Sequence, residues 1–401
     1  MHRRNSTVLL ITGILSFAAF NFYTPALSAV FNSFPSFPTL AKLSVSLYIF
    51  AKGISMLLYA PVIERLNPKT WLLIGVVIFI IGSLTCAGAI HPLMLLAGRI
   101  AEGIGASLLV LIELSMMNQM YSKNSATRML SLVFFIQGLL RIALPILGGY
   151  VTEFWGWRML FIILTIASVV CLFLVLNYIS LEAYKKPMPG YFRKNAIAIL
   201  KSRIFWGYVS CFALILSTTD VFCTGAVYLF SYHGGLNAIE FGYLYTSLLL
   251  GYILGLVTCL ILNQRLRPFR FFSIAVYLTA IASLFLVIGS FIDSISLQLT
   301  LIYFMMLIIM YLSGIALIIT LVEVPRFFPQ HIALVTTMGL SVVFIIGAAF
   351  SILISFFDIK DSDPVLFIIG SCGILCLILF WLLLMPIKKR LLPDLRPLTH
   401  H

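Results

Sequence analysis

The chain has 401 residues, of which 62% are hydrophobic and 10% charged, and its formal net charge is +13. A soluble domain carries roughly 25% charged residues; one this apolar would have to expose much of its Leu, Ile and Phe to water, so a soluble fold is excluded and the bilayer is the solvent that fits. The basic excess sits in short clusters between apolar runs, which reads as charge at a membrane surface and argues against a nucleic-acid partner.

Taken in chain order, twelve segments have the roughly 20 mostly apolar residues that a membrane-spanning helix needs. They are 8–30, 40–63, 71–89, 93–116, 129–151, 159–179, 204–229, 241–263, 269–291, 297–322, 332–357 and 365–385. The first follows Met1-His2-Arg3-Arg4 and ends near the small residues Ala26-Leu27-Ser28-Ala29, as a cleaved signal would. Its apolar run of about 22 residues is too long for a signal core, so it reads as a retained span. Breaks fall on turn or charge signals: Pro35 with Pro38, Asn67-Pro68, His91-Pro92, Gly234-Gly235, Arg267-Pro268, Pro325 and the stretch 358–364. The polar segment 180–203 carries Pro187, Pro189, Gly190 and six basic residues. It separates a first six-span bundle over 1–180 from a second over 204–386, with a tail at 387–401. Within it, 194–203 forms either a short amphipathic helix on the anionic leaflet or a plain connector.

Orientation follows from charge. With the N-terminus inside, twenty basic residues fall in inner segments, and only Lys42, Arg158 and Lys360 in outer ones. The positive-inside rule then puts both termini in the cytoplasm of a multi-pass protein of the inner membrane. All seven cysteines lie inside apolar runs and read as small core residues. Cys372 and Cys376 share a helix face without a His or acid beside them, so no metal site is expected. No phosphate loop, nucleophile triad or haem ligand occurs either, which predicts a chain that is not an enzyme and takes no cofactor.

A short loop recurs. Glu64-Arg65-Leu66-Asn67-Pro68 follows the second segment, and Gln264-Arg265-Leu266-Arg267-Pro268 follows the eighth. Two six-span halves related by an axis along the membrane normal account for it.

The first half carries further marks. Asn21-Phe22-Tyr23-Thr24-Pro25-Ala26-Leu27 is similar to the Asp-x-Tyr-x-Pro-Ala-Leu of twelve-span drug/proton antiporters, and Tyr59-Ala60-Pro61-Val62-Ile63-Glu64-Arg65 to their Tyr-Gly-Pro-x-x-Asp-Arg. Arg99-Ile100-Ala101-Glu102-Gly103-Ile104-Gly105-Ala106 resembles Arg-x-x-Gln-Gly-x-Gly-Ala. Pro145-Ile146-Leu147-Gly148-Gly149 resembles the antiporter motif ending Pro-x-x-Gly-Gly, and Gly156-Trp157-Arg158 matches Gly-Trp-Arg. On these residues the chain resembles the major facilitator superfamily, and within it the antiporters of the bicyclomycin- and chloramphenicol-resistance type. The resemblance implies an all-α integral membrane fold, twelve helices in two pseudo-symmetric halves, with spans one, four, seven and ten lining a central cavity. It departs from the pattern in places: the span-one acid is Asn21, which cannot release a proton, Glu102 replaces a Gln, and Lys52 and Arg141 stand where apolar residues are usual.

Ionisable groups inside spans are costly and therefore functional hypotheses. Arg99 and Glu102, three apart on one helix, form either a fixed neutral pair or a switchable one in which protonated Glu102 frees Arg99. Glu113 is either half of a gate salt bridge or a proton site. Asp220, which the resemblance places near the cavity, is either a proton or substrate residue or an acid fixed by Thr218 or a neighbouring helix. Lys52 and Arg141, beside the cavity by the same resemblance, make with Arg99 a cluster of three positive charges that suits an anionic cargo; otherwise each pairs with an acid on another helix. Tyr23, Gln137 and Asn21 join Lys52, Arg99 and Arg141 as substrate-binding candidates. Glu64, Arg65 and Arg265 read as a gating latch, while Pro145, Gly148 and Gly149 let span five bend and pack closely.

The leading expectation is a monomeric secondary transporter whose partners are protons, the lipid bilayer and a small amphiphilic substrate, exported by alternating access. The alternatives are a transporter of an anionic metabolite, such as a carboxylate siderophore, in either direction, and a non-transporting membrane sensor or partner-binding protein.

Overall fold

The structure, a computed structural model, describes residues 2–59, 67–120, 123–179, 191–262, 267–358 and 362–387. Among them no strand occurs. The first half comprises α1 (His2–Asn21), α2 (Leu27–Ser33), α3 (Pro38–Tyr59), α4 (Pro68–Ala87), α5 (Pro92–Met120), α6 (Lys123–Trp155) and α7 (Trp157–Tyr178). A linker helix, α8 (Tyr191–Leu200), precedes the second half: α9 (Arg203–Val221), α10 (Val227–Tyr232), α11 (Ala238–Leu262), α12 (Pro268–Gly289), α13 (Ile295–Arg326), α14 (Ile332–Ser355) and α15 (Asp363–Leu379). Eleven helical segments among the described residues are long and apolar enough to cross a bilayer. The 33-residue α6 completes the twelve-span pattern.

Local chemistry sets several helix starts. Proline stands at the first position of α3, α4, α5 and α12, where its missing N–H costs nothing. Asn67 caps α4, its side-chain oxygen accepting from the Thr70 N–H at 2.8 Å. The starts of α4 and α12 lie at the loop repeat, whose residues 64–66 and 264–266 are outside the described residues. In the central segment a helix, α8, runs over Tyr191–Leu200 instead of the expected 194–203; it buries Ala196 and Ile199 near α9 and α14 and leaves Ile197 and Leu200 exposed.

Two spans expected as continuous helices are interrupted. The first breaks after Asn21 into a 3-10 turn, Thr24–Ala26, because Pro25 removes a backbone donor. The seventh widens into a π-turn, Phe222–Ala226. The two breaks fall at the same register of the two halves.

The halves meet along α3–α14 and α6–α11. At the end of the bundle away from the N-terminus, Lys42 donates to the Phe357 carbonyl at 2.5 Å and Ser46 bonds Ser351 at 2.7 Å. Phe31 of α2 packs on Tyr228 of α10 with ring centroids 5.2 Å apart. Along α6–α11, a methyl group built on Gly149 would lie 2.5 Å from the Ala238 carbonyl oxygen, and one on Gly242 2.7 Å from that of Pro145. Gly148 packs as tightly against the Phe22 carbonyl. Nearer the middle, a methyl on Gly138 would find its nearest neighbour, Ile253, at 3.9 Å. The seam is therefore backbone-tight at one end and looser toward the other.

That geometry predicts that Gly149→Val parts the tight end. Overpacking costs about 1–3 kcal/mol, a roughly tenfold to hundredfold shift toward a state open there. Spin-label distances between the neighbouring ends of α6 and α11 should lengthen; an unchanged distribution would show that this contact does not hold the seam closed.

Candidate functional site

A cavity of about 80 Å³, room for several waters, lies where the halves meet. Its walls are aromatic: Phe17 and Phe20 from α1, Tyr48 from α3, Tyr245 and Tyr252 from α11, and Phe344 from α14. Ser16 and Thr219 line it with their hydroxyls, and an amide and three ionisable side chains face it as well. Asn21, Lys52 and Arg141 come from the first half and Asp220 from the second.

Lys52 is 4% exposed, and its ammonium sits over the rings of Phe344, Phe17 and Tyr48 at 4.8, 5.3 and 6.0 Å. The Arg141 guanidinium shares the Phe17 ring at 5.0 Å and lies 5.3 Å from that of Tyr252, whose hydroxyl it hydrogen-bonds. Its Nε is buried without a partner, as is the Asn21 Oδ1. Among the described residues, no acid comes within 4 Å of either cation, and Asp220 makes no ion pair at that distance. Asp220 feels the charge of Arg141 across the cavity. Its carboxylate rests on the bare backbone of α14 at Gly347, and Thr218 turns away to donate to the Ile215 carbonyl. The cations are thus held by π faces, which leaves their hydrogen-bonding capacity open toward the cavity.

Arg99 does not join them. It is fully buried behind the wall, bonded to Glu102 at 2.6 Å, to the Ala19 carbonyl at 3.0 Å and to that of Ser44 at 3.2 Å. The rings of Tyr48 and Tyr23 flank its guanidinium at 4.2 and 4.6 Å. Ser83 donates to the second Glu102 oxygen at 2.6 Å. The expected cluster of three positive charges is therefore two in the cavity and one neutralised beside it. Tyr23 does not line this cavity: its hydroxyl bonds Ser44 at 2.8 Å, and its ring stands against Arg99.

Gln137 points elsewhere as well, donating to Glu113 at 2.8 Å. Glu113 forms no salt bridge among the described residues, so the gate-bridge reading has no partner there. Glu64, Arg65 and Arg265 lie outside the described residues. Pro145, Gly148 and Gly149 stand at the tight seam between α6 and its neighbours. Sequence reasoning missed Tyr245, Tyr252 and Phe344; the first two stand seven apart on α11, a spacing that puts them on one helix face.

Two helical halves closing on a polar, aromatic-walled cavity define a membrane transporter rather than an enzyme. The chain belongs to the Major Facilitator Superfamily, whose family model matches residues 9–348. It is 20% identical to the bicyclomycin resistance protein homolog of Haemophilus influenzae, over 96% of this chain and 98% of that protein. It is 30% identical to the methylenomycin A resistance protein of Bacillus subtilis, but over only 29% of this chain and 25% of that one. Among solved structures, a D-xylose-proton symporter superposes with a TM-score of 0.72 over 94% of this chain and 97% of its own. The xylose transporter of E. coli in a partially occluded inward-open conformation gives 0.68 over 95% and 98%. Both are 14% identical, so the likeness is one of fold.

The Arg99–Glu102 pair yields a stability prediction. Arg99→Met should leave Glu102 buried and unpaired, costing about 3–5 kcal/mol, whereas Arg99→Met with Glu102→Leu should recover most of it. Thermal unfolding in detergent micelles reads both; equal losses in the single and double variants would count against a self-contained pair.

Proposed function

We propose that the chain exports small amphiphilic molecules by alternating access, with protons coupled to the movement through Asp220. One observation carries this: Asp220 of the second half faces Lys52 and Arg141 of the first across an aromatic cavity, so the cargo site spans the surfaces that must part. In this reading residues 1–180 and 204–386 rock as two bodies joined by 181–203, and 387–401 is a tail. The charge asymmetry of the loops supports cytoplasmic termini and an inner-membrane location. The drug-resistance relatives support the outward direction. A proton moving inward supplies about 2.3 kcal/mol per 100 mV, plus the pH term. A neutral cargo with hydrogen-bond donors competes with that proton for Asp220, and competition at one carboxyl is what exchange requires.

A second reading, an anionic cargo, is favoured by the open hydrogen-bonding capacity of Lys52 and Arg141. Its linkage has the opposite sign. A proton on Asp220 removes a negative charge beside Arg141, so proton and anion bind together, and by reciprocity the anion draws a proton in.

In a deletion strain, drug tolerance and untargeted metabolite levels identify the cargo, and Asp220→Asn should behave as the deletion does. With the cargo in hand, binding to detergent-solubilised protein in weak buffer should release a proton for exchange and take one up for an anion. Full transport by Asp220→Asn would remove the proposed coupling residue. Unchanged transport by Lys52→Ala with Arg141→Ala would remove the anionic reading.

A further inference from the structure

Glu113 lies one layer behind the cavity, where α1, α5 and α6 converge. It is 3% exposed. A methyl group built on Gly13 of α1 would lie 2.5 Å from one carboxyl oxygen and would collide with the other and with the Gln137 amide. The bare backbone of α1 thus closes directly over the carboxyl group. The Gln137 Nε2 donates to it at 2.8 Å, while the Gln137 Oε1 is buried without a partner.

Glu102, about three turns away on the same helix, shows what a compensated carboxylate looks like here: a guanidinium and a hydroxyl, each at 2.6 Å. Glu113 has one neutral donor and, among the described residues, no basic atom within 4 Å. Among the described residues, the charged groups bearing on it are few. From α3, Lys52 attracts it electrostatically. From α6, beyond Gln137, Arg141 acts on Lys52. From α1, the Gly13 backbone faces it. An uncompensated charge in such a seat is expensive, and a bound proton removes it.

We infer that Glu113 and Gln137 form a proton-binding site of their own, closed by α1 at Gly13 and linked to the cavity through Lys52. The step is simple: a proton from water adds to the Glu113 carboxylate, leaving a neutral carboxyl, and returns to water when α1 moves off the seat. With Glu113 neutral, the Lys52 ammonium is committed to the cavity; with Glu113 ionised, it is drawn back. The link to cargo rests on the reading of the cavity as the cargo site, whereas the proton site itself does not.

The test is pH-difference infrared spectroscopy of the full chain in lipid vesicles, following the carbonyl stretch of protonated carboxyl groups. The native protein should show a band that Glu113→Gln lacks, bleaching over about one pH unit to either side of its midpoint. Lys52→Met and Gln137→Leu, each leaving the carboxyl in place, should shift the pH at which that band bleaches. Superimposable native and Glu113→Gln spectra would overturn the site. An unmoved midpoint in Lys52→Met would overturn its link to the cavity. Asp220→Asn should keep the Glu113 band even where transport is lost, so failure of the transport reading and failure of this one give different spectra.

Discussion

Hydrocarbon offers no water to a charge, and that constraint sorts the ionisable side chains of this protein. Each charged residue at a helix centre costs about 2.5–3.5 kcal/mol on insertion scales. Arg99 meets the cost within the protein, through Glu102, two carbonyls and two tyrosine faces. Lys52, Arg141 and Asp220 do not form such pairs among the described residues; they keep unused hydrogen-bonding capacity on one shared space. The first arrangement holds helices together, and the second faces a shared cavity. The difference is drawn by distances of a few ångströms within the same bundle.

Much of the fold was legible because its cause is periodic and long-range. Apolar runs of span length, broken by Asn67-Pro68 or Arg267-Pro268, fix helix number and limits. The first-half motifs also led to the right family, and Asn21, Lys52, Arg141 and Asp220 all reach the cavity. Rotation about the helix axis was not legible. Tyr23 and Gln137 stand beside matched motifs yet face away from the space, because a residue's azimuth depends on its neighbours' packing and on the break at Pro25. Phe344 was invisible for the same reason: in α14, apolar all round, nothing in the sequence distinguishes a cavity face from a lipid face.

The two seams between the halves differ in the contacts most evident along them. Where α6 meets α1 and α11, glycine brings backbones together, so closure there depends on shape. Where α3 meets α14, hydroxyls take over: Thr224 bonds Ser351 at 2.6 Å, and Ser351 bonds Ser46 at 2.7 Å. Hydrogen bonds of this neutral kind are worth about 0.5–1.5 kcal/mol each and are readily replaced by water. Gly53 adds a close approach of α3 to the Ile345 backbone in the same seam.

The paired interruptions in the first and seventh spans have a longer reach. They occupy one register of a duplicated plan, but their chemistry has diverged. On one side a proline ring fixes the bend covalently, next to an amide that cannot ionise. On the other a widened turn follows a carboxyl group, and Thr224 within that turn bonds back to the Asp220 carbonyl at 2.8 Å. The same joint thus stands at one register of both halves, set by a proline ring in the first and by a threonine hydroxyl on a carbonyl in the second, so a substitution at Pro25 and one at Thr224 remove different kinds of constraint.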